Sequence, residues 1–158
     1  MNERSITRKI ALSGLVMAAY LVIMNLGQGF AFGQYQIRLA TSLYALSAVY
    51  PFLILPLGLS NLLSNTLMGG LGLFDMAGGF LVGIITSAAV YLIHRLKLSY
   101  SLIAVPIIFG PGLIVPIWLS MILHIPYLLL ALNLCLGQVV PGSLGVILIR
   151  KMKKANIH

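Results

Sequence analysis

The chain has 158 residues, 60% of them hydrophobic and only 8% charged, with a formal net charge of +8 and a mean hydropathy of +1.06. A soluble domain runs about 45–50% apolar and about 25% charged, so the composition excludes an ordinary water-soluble fold and predicts an all-α integral membrane protein. The positive charge does not point to nucleic acid, because it collects at the ends of apolar stretches, where Lys and Arg snorkel to lipid headgroups.

The N-terminus imitates a signal peptide, with Arg4, Arg8 and Lys9 around the start of an apolar run from Ile10. That run continues to about Phe30 with no polar cleavage region, which predicts a retained first helix over roughly Ile6 to Phe30. Gly27, Gln28, Gly29, Gly33 and Gln34 mark an outer loop. A short second helix, about Gln36 to Tyr50, stops at Pro51, which removes a backbone donor. A third covers roughly Phe52 to Met68, and Gly69, Gly70 and Gly72 form a loop ending at Asp75. The fourth runs about Met76 to His94, followed by an inner loop with Arg95 and Lys97. The fifth, about Ser99 to Leu123, carries Pro106, Gly110, Pro111, Gly112 and Pro116 and is expected to be kinked or broken. The sixth runs about Pro126 to Arg150, with a further kink expected at Pro141. The second and third fall below the usual spanning length of about 20 residues and could line a depression.

Nine of the ten Lys and Arg residues fall in three clusters, Arg4/Arg8/Lys9, Arg95/Lys97 and Arg150/Lys151/Lys153/Lys154. With six crossings all three land on one side, the positive-inside pattern, which puts both termini in the cytoplasm. Six spans of about 20 residues leave little over, so residues 1–158 are expected to form a single six-helix membrane domain. The lone Cys135 sits in an apolar run and reads as a small buried hydrophobe.

Intramembrane polar groups are costly and mark candidate functional sites. On this topology most of them share the outer half: Asn25 and Gln28, Arg38 and Thr41, Asn61 and Asn65, Asp75, Trp118, and Asn133, about 10 Å down the last helix at 1.5 Å per residue. Gln138 lies deeper, near mid-membrane. The cluster predicts an outward-facing polar pocket in an apolar bundle. Taken singly, each residue reads equally well as scaffold: Asn and Gln join helices with hydrogen bonds worth about 1 kcal/mol, Trp118 could anchor at the interface, and Arg38 and Asp75 could pair with each other. The first helix carries a small-residue face, Ala11, Gly14 and Ala18, which suits close approach of another helix or plain internal packing.

Several chemistries lack their equipment. No G-x-x-x-x-G-K-[ST] loop is present for ATP hydrolysis, and no H-E-x-x-H or Cys/His cluster for a metal. Gly58-Leu59-Ser60 faintly resembles an intramembrane serine-protease nucleophile, but His94, His124 and His158 are predicted at the surfaces or in the tail, poorly placed to serve as its base. Asp75 is the one acid expected in the membrane region, and no repeat is evident, which speaks against a stand-alone secondary transporter.

Ile10 to Tyr20, the Tyr35-Gln36-Ile37-Arg38 opening of the second helix, and Asn65 followed by Gly69-Gly70-Leu71-Gly72-Leu73-Phe74-Asp75 resemble the QueT family of queuosine-precursor transporters. Members are substrate-binding (S) components of energy-coupling-factor (ECF) transporters. Leu136-Gly137-Gln138 resembles that family's Gly-Glu position. The resemblance covers most of the chain, is strongest from Gln36 to Gly83, and is weak in the fifth helix. Thr41 and Gln138 stand where the family pattern has Glu. A carboxylate would suit the ammonium group of an aminomethyl-deazaguanine, and a neutral hydroxyl or amide does not compensate a buried cation. The fold and transporter type are therefore better supported than that cationic substrate. Asp75 could still accept two hydrogen bonds from the N–H edge of a guanine-like ring, with Trp118 or Tyr35 stacking on its face.

The resemblance implies the remaining expectations. The protein is a non-enzymatic subunit of a prokaryotic plasma membrane, without a cofactor. It binds a queuosine precursor or related micronutrient through Arg38, Thr41, Asn61, Asn65, Asp75, Trp118, Asn133 and Gln138. Ala11, Gly14 and Ala18 dock on a membrane scaffold subunit driven by two ABC ATPases. The alternatives are an S component for another vitamin, a small membrane scaffold without ligand, and, third, an intramembrane enzyme built on Ser60.

Overall fold

A computed structural model describes residues 3–32, 35–68 and 70–155. Gly33, Gln34, Gly69 and His158, which figure in the loop and tail expectations, lie outside the described residues. The described residues are helical or irregular throughout. The first helix, α1 (Glu3–Leu26), is followed by a single turn, α2 (Gln28–Ala31). A ten-residue 3-10 helix, Leu39–Ala48, and a 3-10 turn, Pro51–Leu53, lead into α3 (Ile54–Met68) and α4 (Leu73–Arg95). A 3-10 turn, Tyr100–Ile103, then leads into α5 (Ala104–Leu123) and α6 (Tyr127–Lys154).

Five segments are long and apolar enough to cross a membrane: Arg4–Leu26, Pro51–Met68, Leu73–Arg95, Tyr100–Leu123 and Tyr127–Lys154. The second expected helix is instead Leu39–Ala48, wound as 3-10. At roughly 2.0 Å per residue its ten residues cover about 20 Å, less than the roughly 30 Å of a hydrocarbon core. Its winding has local support. The Ser42 hydroxyl donates to the carbonyl three residues back at 2.7 Å, and the Thr41 and Ser47 hydroxyls stand 2.7 Å from theirs, each sharing its one proton with a second acceptor on a neighbouring helix. It forms the bundle's central strut, packed by α1, α4 and α6. Ala40, Thr41, Tyr44, Ala45, Ser47 and Ala48 are buried, and most of these side chains are small enough to let the long helices close around it. The strut runs from the Arg38 end of the molecule to the end where Tyr50 meets Arg8 and Lys9.

The prolines open a turn in one place and break neither of the two long helices that carry them inside. Pro51 ends the preceding segment by opening a new turn, as predicted. Yet α5 runs continuously through Pro111 and Pro116, and α6 through Pro141. All three rings are buried against neighbouring helices, the setting in which packing holds a helix together across a missing backbone donor. Helices α3 and α4 meet at two glycines: a Cβ on Gly83 would lie 2.8 Å from the Gly58 Cα. Gly58 is thus a helix-contact residue, and the Ser60 hydroxyl donates to the Pro56 carbonyl at 2.8 Å.

Candidate functional site

A cavity of about 430 Å³ opens between α5, α6 and the start of α4. Leu119, Leu130 and Leu134 form its apolar wall, Leu123, Ile125 and Leu129 lie around the α5–α6 connection, and Phe32, Gln36 and Leu71 complete it. Its polar side chains are Asp75, Gln36 and Asn133. A mostly apolar hollow with a few convergent polar groups is the usual form of a small-molecule site.

Asp75 sits in the first turn of α4, with 7% of its surface exposed. Among the described residues, each carboxylate oxygen takes one hydrogen bond. Trp118 Nε1–H donates to Oδ1 at 3.0 Å, and the Leu71 backbone N–H donates to Oδ2 at 3.3 Å. A carboxylate offers about four acceptor sites, so each oxygen keeps capacity for a donor in the cavity. Trp118 reaches Asp75 because α4 has no side chain at Gly78. A Cβ there would lie 2.7 Å from the indole ring.

Behind Asp75 lies a continuous hydrogen-bonded chain. Asn65 Nδ2 donates to the Asp75 backbone carbonyl at 2.9 Å, and its Oδ1 accepts from Arg38 Nη2. Arg38 Nη1 donates to Asn61 Oδ1 at 3.1 Å, and Asn61 Nδ2 donates to the Tyr44 hydroxyl at 2.9 Å. Tyr44 in turn meets the Tyr20 hydroxyl at 3.3 Å. Asn61 and Asn65 can act together because a spacing of four places them on one face of α3. Arg38 is 5% exposed, stacks its guanidinium 5.1 Å from the Phe32 ring centre, and its Nε has no partner among the described residues. Its contacts are two amide oxygens and an aromatic face. The Asn65 side chain, rather than a direct ion pair, links it to Asp75.

Thr41 and Gln138 are joined to each other. The Thr41 hydroxyl donates to Gln138 Oε1 at 2.8 Å, and Gln138 Nε2 donates to the Gln36 carbonyl at 2.9 Å. Gln36 has a positive φ of 44°, an uncommon conformation for a side-chain-bearing residue. It lies where the chain presses onto α6 so closely that a Cβ on Gly137 would be 1.8 Å from the Tyr35 carbonyl oxygen. Gln138 therefore staples the Tyr35–Arg38 stretch to α6.

Of the eight residues expected to bind substrate, Asp75 and Asn133 line the cavity. Trp118 acts on Asp75, while Arg38, Asn61 and Asn65 form the layer behind it. Thr41 and Gln138 reach the cavity through Gln36. Asn25 is exposed, and Gln28 donates to the Met68 carbonyl at the end of α3. Phe32, Gln36, Tyr44, Tyr20 and Gly78 were not among the expected site residues. Gly78 stands three residues after Asp75, so its place on the same helix face was the signal for it. On α1, Ala11, Gly14 and Ala18 are all exposed, and a Cβ on Gly14 would meet nothing within 4 Å.

A family model described as QueT transporter matches residues 10–154. No match was found among curated proteins or among solved structures.

Proposed function

The chain belongs to the QueT transporter family, and from that premise we propose that it is the substrate-binding S component of an ECF-type importer for a 7-deazaguanine-type base such as queuine, or a related flat micronutrient. In this reading it is a multi-pass protein of a prokaryotic plasma membrane and catalyses no reaction itself. Its six-crossing topology counts Leu39–Ala48 as the second crossing and leaves both termini in the cytoplasm. The observation that carries the substrate class is the half-satisfied Asp75 carboxylate at the edge of an apolar cavity. A guanine-like edge offers adjacent N–H donors that a carboxylate accepts in pairs. Gln36 and Asn133 offer amide groups to other ring edges, and Phe32 is the aromatic ring in the cavity wall.

Thr41 and Gln138 bond to each other, so they add no negative charge for an ammonium substituent. That favours a base without the aminomethyl cation. The docking partners are a membrane scaffold subunit and two ABC ATPases. The docking face is Ala11, Gly14 and Ala18, on the least enclosed of the five long segments: α1 is 17% buried over its most apolar window, against 33–39% for the others.

The test is to purify the protein in mild detergent from cells grown on rich medium, denature it, and identify the released small molecule by mass spectrometry. A 7-deazapurine is the expected result. A different vitamin would keep the importer and move the substrate class. The hydrogen bonds that join Arg38 to Asn61 and Asn65 favour a second reading, a ligand-free membrane scaffold. On that reading nothing is released, and Asp75→Ala and Asn65→Ala lower stability with no binding to lose.

A further inference from the structure

The end of the bundle away from the cavity carries a second, smaller hollow of about 230 Å³, lined by His94, Lys97, Leu98, Tyr100 and Lys153. We propose that it is a binding site for the phosphate-bearing headgroup of an anionic lipid. Three elements build it: the last turn of α4, the turn that follows, and the last turns of α6 against Tyr100–Ile103. The Lys153 ammonium lies 5.1 Å above the Tyr100 ring centre, and the His94 and Tyr100 rings pack at 5.8 Å. A cation held on an aromatic face is positioned rather than free to roam. Arg150 braces the same junction, donating to the Ser101 hydroxyl at 2.6 Å.

Lys97 is fixed by the backbone. It has a left-handed φ of 55°, its N–H bonds the His94 carbonyl at 3.0 Å, and the next N–H, of Leu98, bonds the Ile93 carbonyl at 3.1 Å. This is a helix-ending motif that favours glycine at the lysine's position. A lysine held there against that preference is the kind of local strain that gathers at functional positions.

Among the described residues, the hollow has cations and no anion to answer them. Asp75 is the one acid among the described side chains, and it lies in the first turn of α4 while His94 and Arg95 lie in its last. His94 follows Asp75 by nineteen positions, about 28 Å along the helix at 1.5 Å each. Among the described residues no counter-charge reaches the hollow, and an anion from outside the chain would supply it. A lipid is favoured over a free phosphate by the rim: Leu96 and Leu98 are 59% and 46% exposed, beside the ammonium groups and at the end of apolar helices. Apolar contact next to a cationic pocket matches a molecule that carries acyl chains beneath a phosphate.

The proposal predicts selective retention of one phosphatidylglycerol. The full-length protein would be exposed to mixed micelles of equal parts phosphatidylglycerol and phosphatidylcholine, and retained lipid counted by native mass spectrometry. The Lys97→Gln/Lys153→Gln protein should hold phosphatidylglycerol about tenfold more weakly or worse. Arg4→Gln/Arg8→Gln, which removes the same charge from a neighbouring cluster, should hold it as wild type does. Tyr100→Leu, which removes the ring and no charge, should also weaken it. Equal loss in both double variants would mean diffuse attraction and would overturn the site. So would unchanged retention in Lys97→Gln/Lys153→Gln, or no preference for phosphatidylglycerol over phosphatidylcholine. Displacement of the lipid by millimolar inorganic phosphate would reassign the hollow to a free anion.

Discussion

Under the proposed function, Asp75 is the residue on which ligand recognition in the cavity would turn. Its two hydrogen bonds come from one side chain and one loop amide, so its charge is directed without being cancelled. Asp75→Asn keeps the shape but removes the charge and turns one acceptor into a donor. Hydrogen bonds to charged groups contribute about 1.5–3 kcal/mol, so ligand affinity should fall about 10- to 100-fold. The readout is built in, because Trp118 is the chain's single tryptophan and bonds to Asp75. Its fluorescence should change on titration with ligand in the wild type and respond only at far higher concentration in the variant. Gly78→Ala tests the other side of that contact. The new methyl would sit 2.7 Å from the indole, and overpacking of this kind costs about 1–3 kcal/mol. The variant should melt lower and shift the Trp118 emission. Gly14→Ala, whose methyl meets nothing within 4 Å, should melt no lower than wild type. Arg38, Asn61, Asn65 and Asp75 stand out in the sequence as candidates, because such groups are rare between apolar runs. Which of them would face the cavity was not legible there. Asn61 and Asn65 share a helix face by spacing alone, yet their partners are set by where the 3-10 strut carries Arg38.

The strut is where sequence and structure part most at the level of elements. The lengths of α1, α3, α4 and α6 could be read from apolar runs and from Pro and Gly punctuation, to within a few residues. The 3-10 winding of Leu39–Ala48 could not, since its composition suits an α-helix equally well and the surrounding long helices decide its thickness. Nor could the continuity of α5 through Pro111 and Pro116. An interior proline costs about 3 kcal/mol in an isolated helix, and only the packed neighbours reveal that the helix survives it. The Thr41–Gln138 bond ties the strut to α6 and, through the Gln36 carbonyl, to the cavity wall. Thr41→Val leaves a buried Gln138 oxygen without its donor, a loss of about 1–3 kcal/mol. Thr41→Val combined with Gln138→Leu should cost less than the sum of the single changes, since no buried polar atom of the pair is then left unpaired. Additive thermal shifts in a double-mutant cycle would show that the pair is not coupled.

At the scale of the whole molecule the strut also decides topology. The starts of α1 and of the 3-10 turn Pro51–Leu53 share one small hollow, and the ends of α4 and α6 share another. The basic clusters on these elements form one rim, and Asp75 and the cavity lie at the other end of α4. The rim's meaning depends on whether Leu39–Ala48 counts as a crossing. Five crossings would leave the termini on opposite sides of the membrane; six would return them to the same side. A segment covering about 20 Å can serve only if the bilayer thins beside it or if the other helices shield its ends from lipid, and its buried face supports shielding. The parity can be read from labelling. In a Cys135→Ala background, which removes the chain's one cysteine, single cysteines at Arg4, Lys97, Lys154 and His124 would be challenged with a membrane-impermeant maleimide. In intact cells His124→Cys should label from outside, whereas Arg4→Cys, Lys97→Cys and Lys154→Cys should label only after the cells are opened. Labelling of Arg4→Cys and Lys154→Cys from opposite sides would reduce the strut to a re-entrant segment. If Lys97→Cys and Lys154→Cys were the ones to label in intact cells, the cavity would open away from the medium that supplies its ligand, which an importer cannot use.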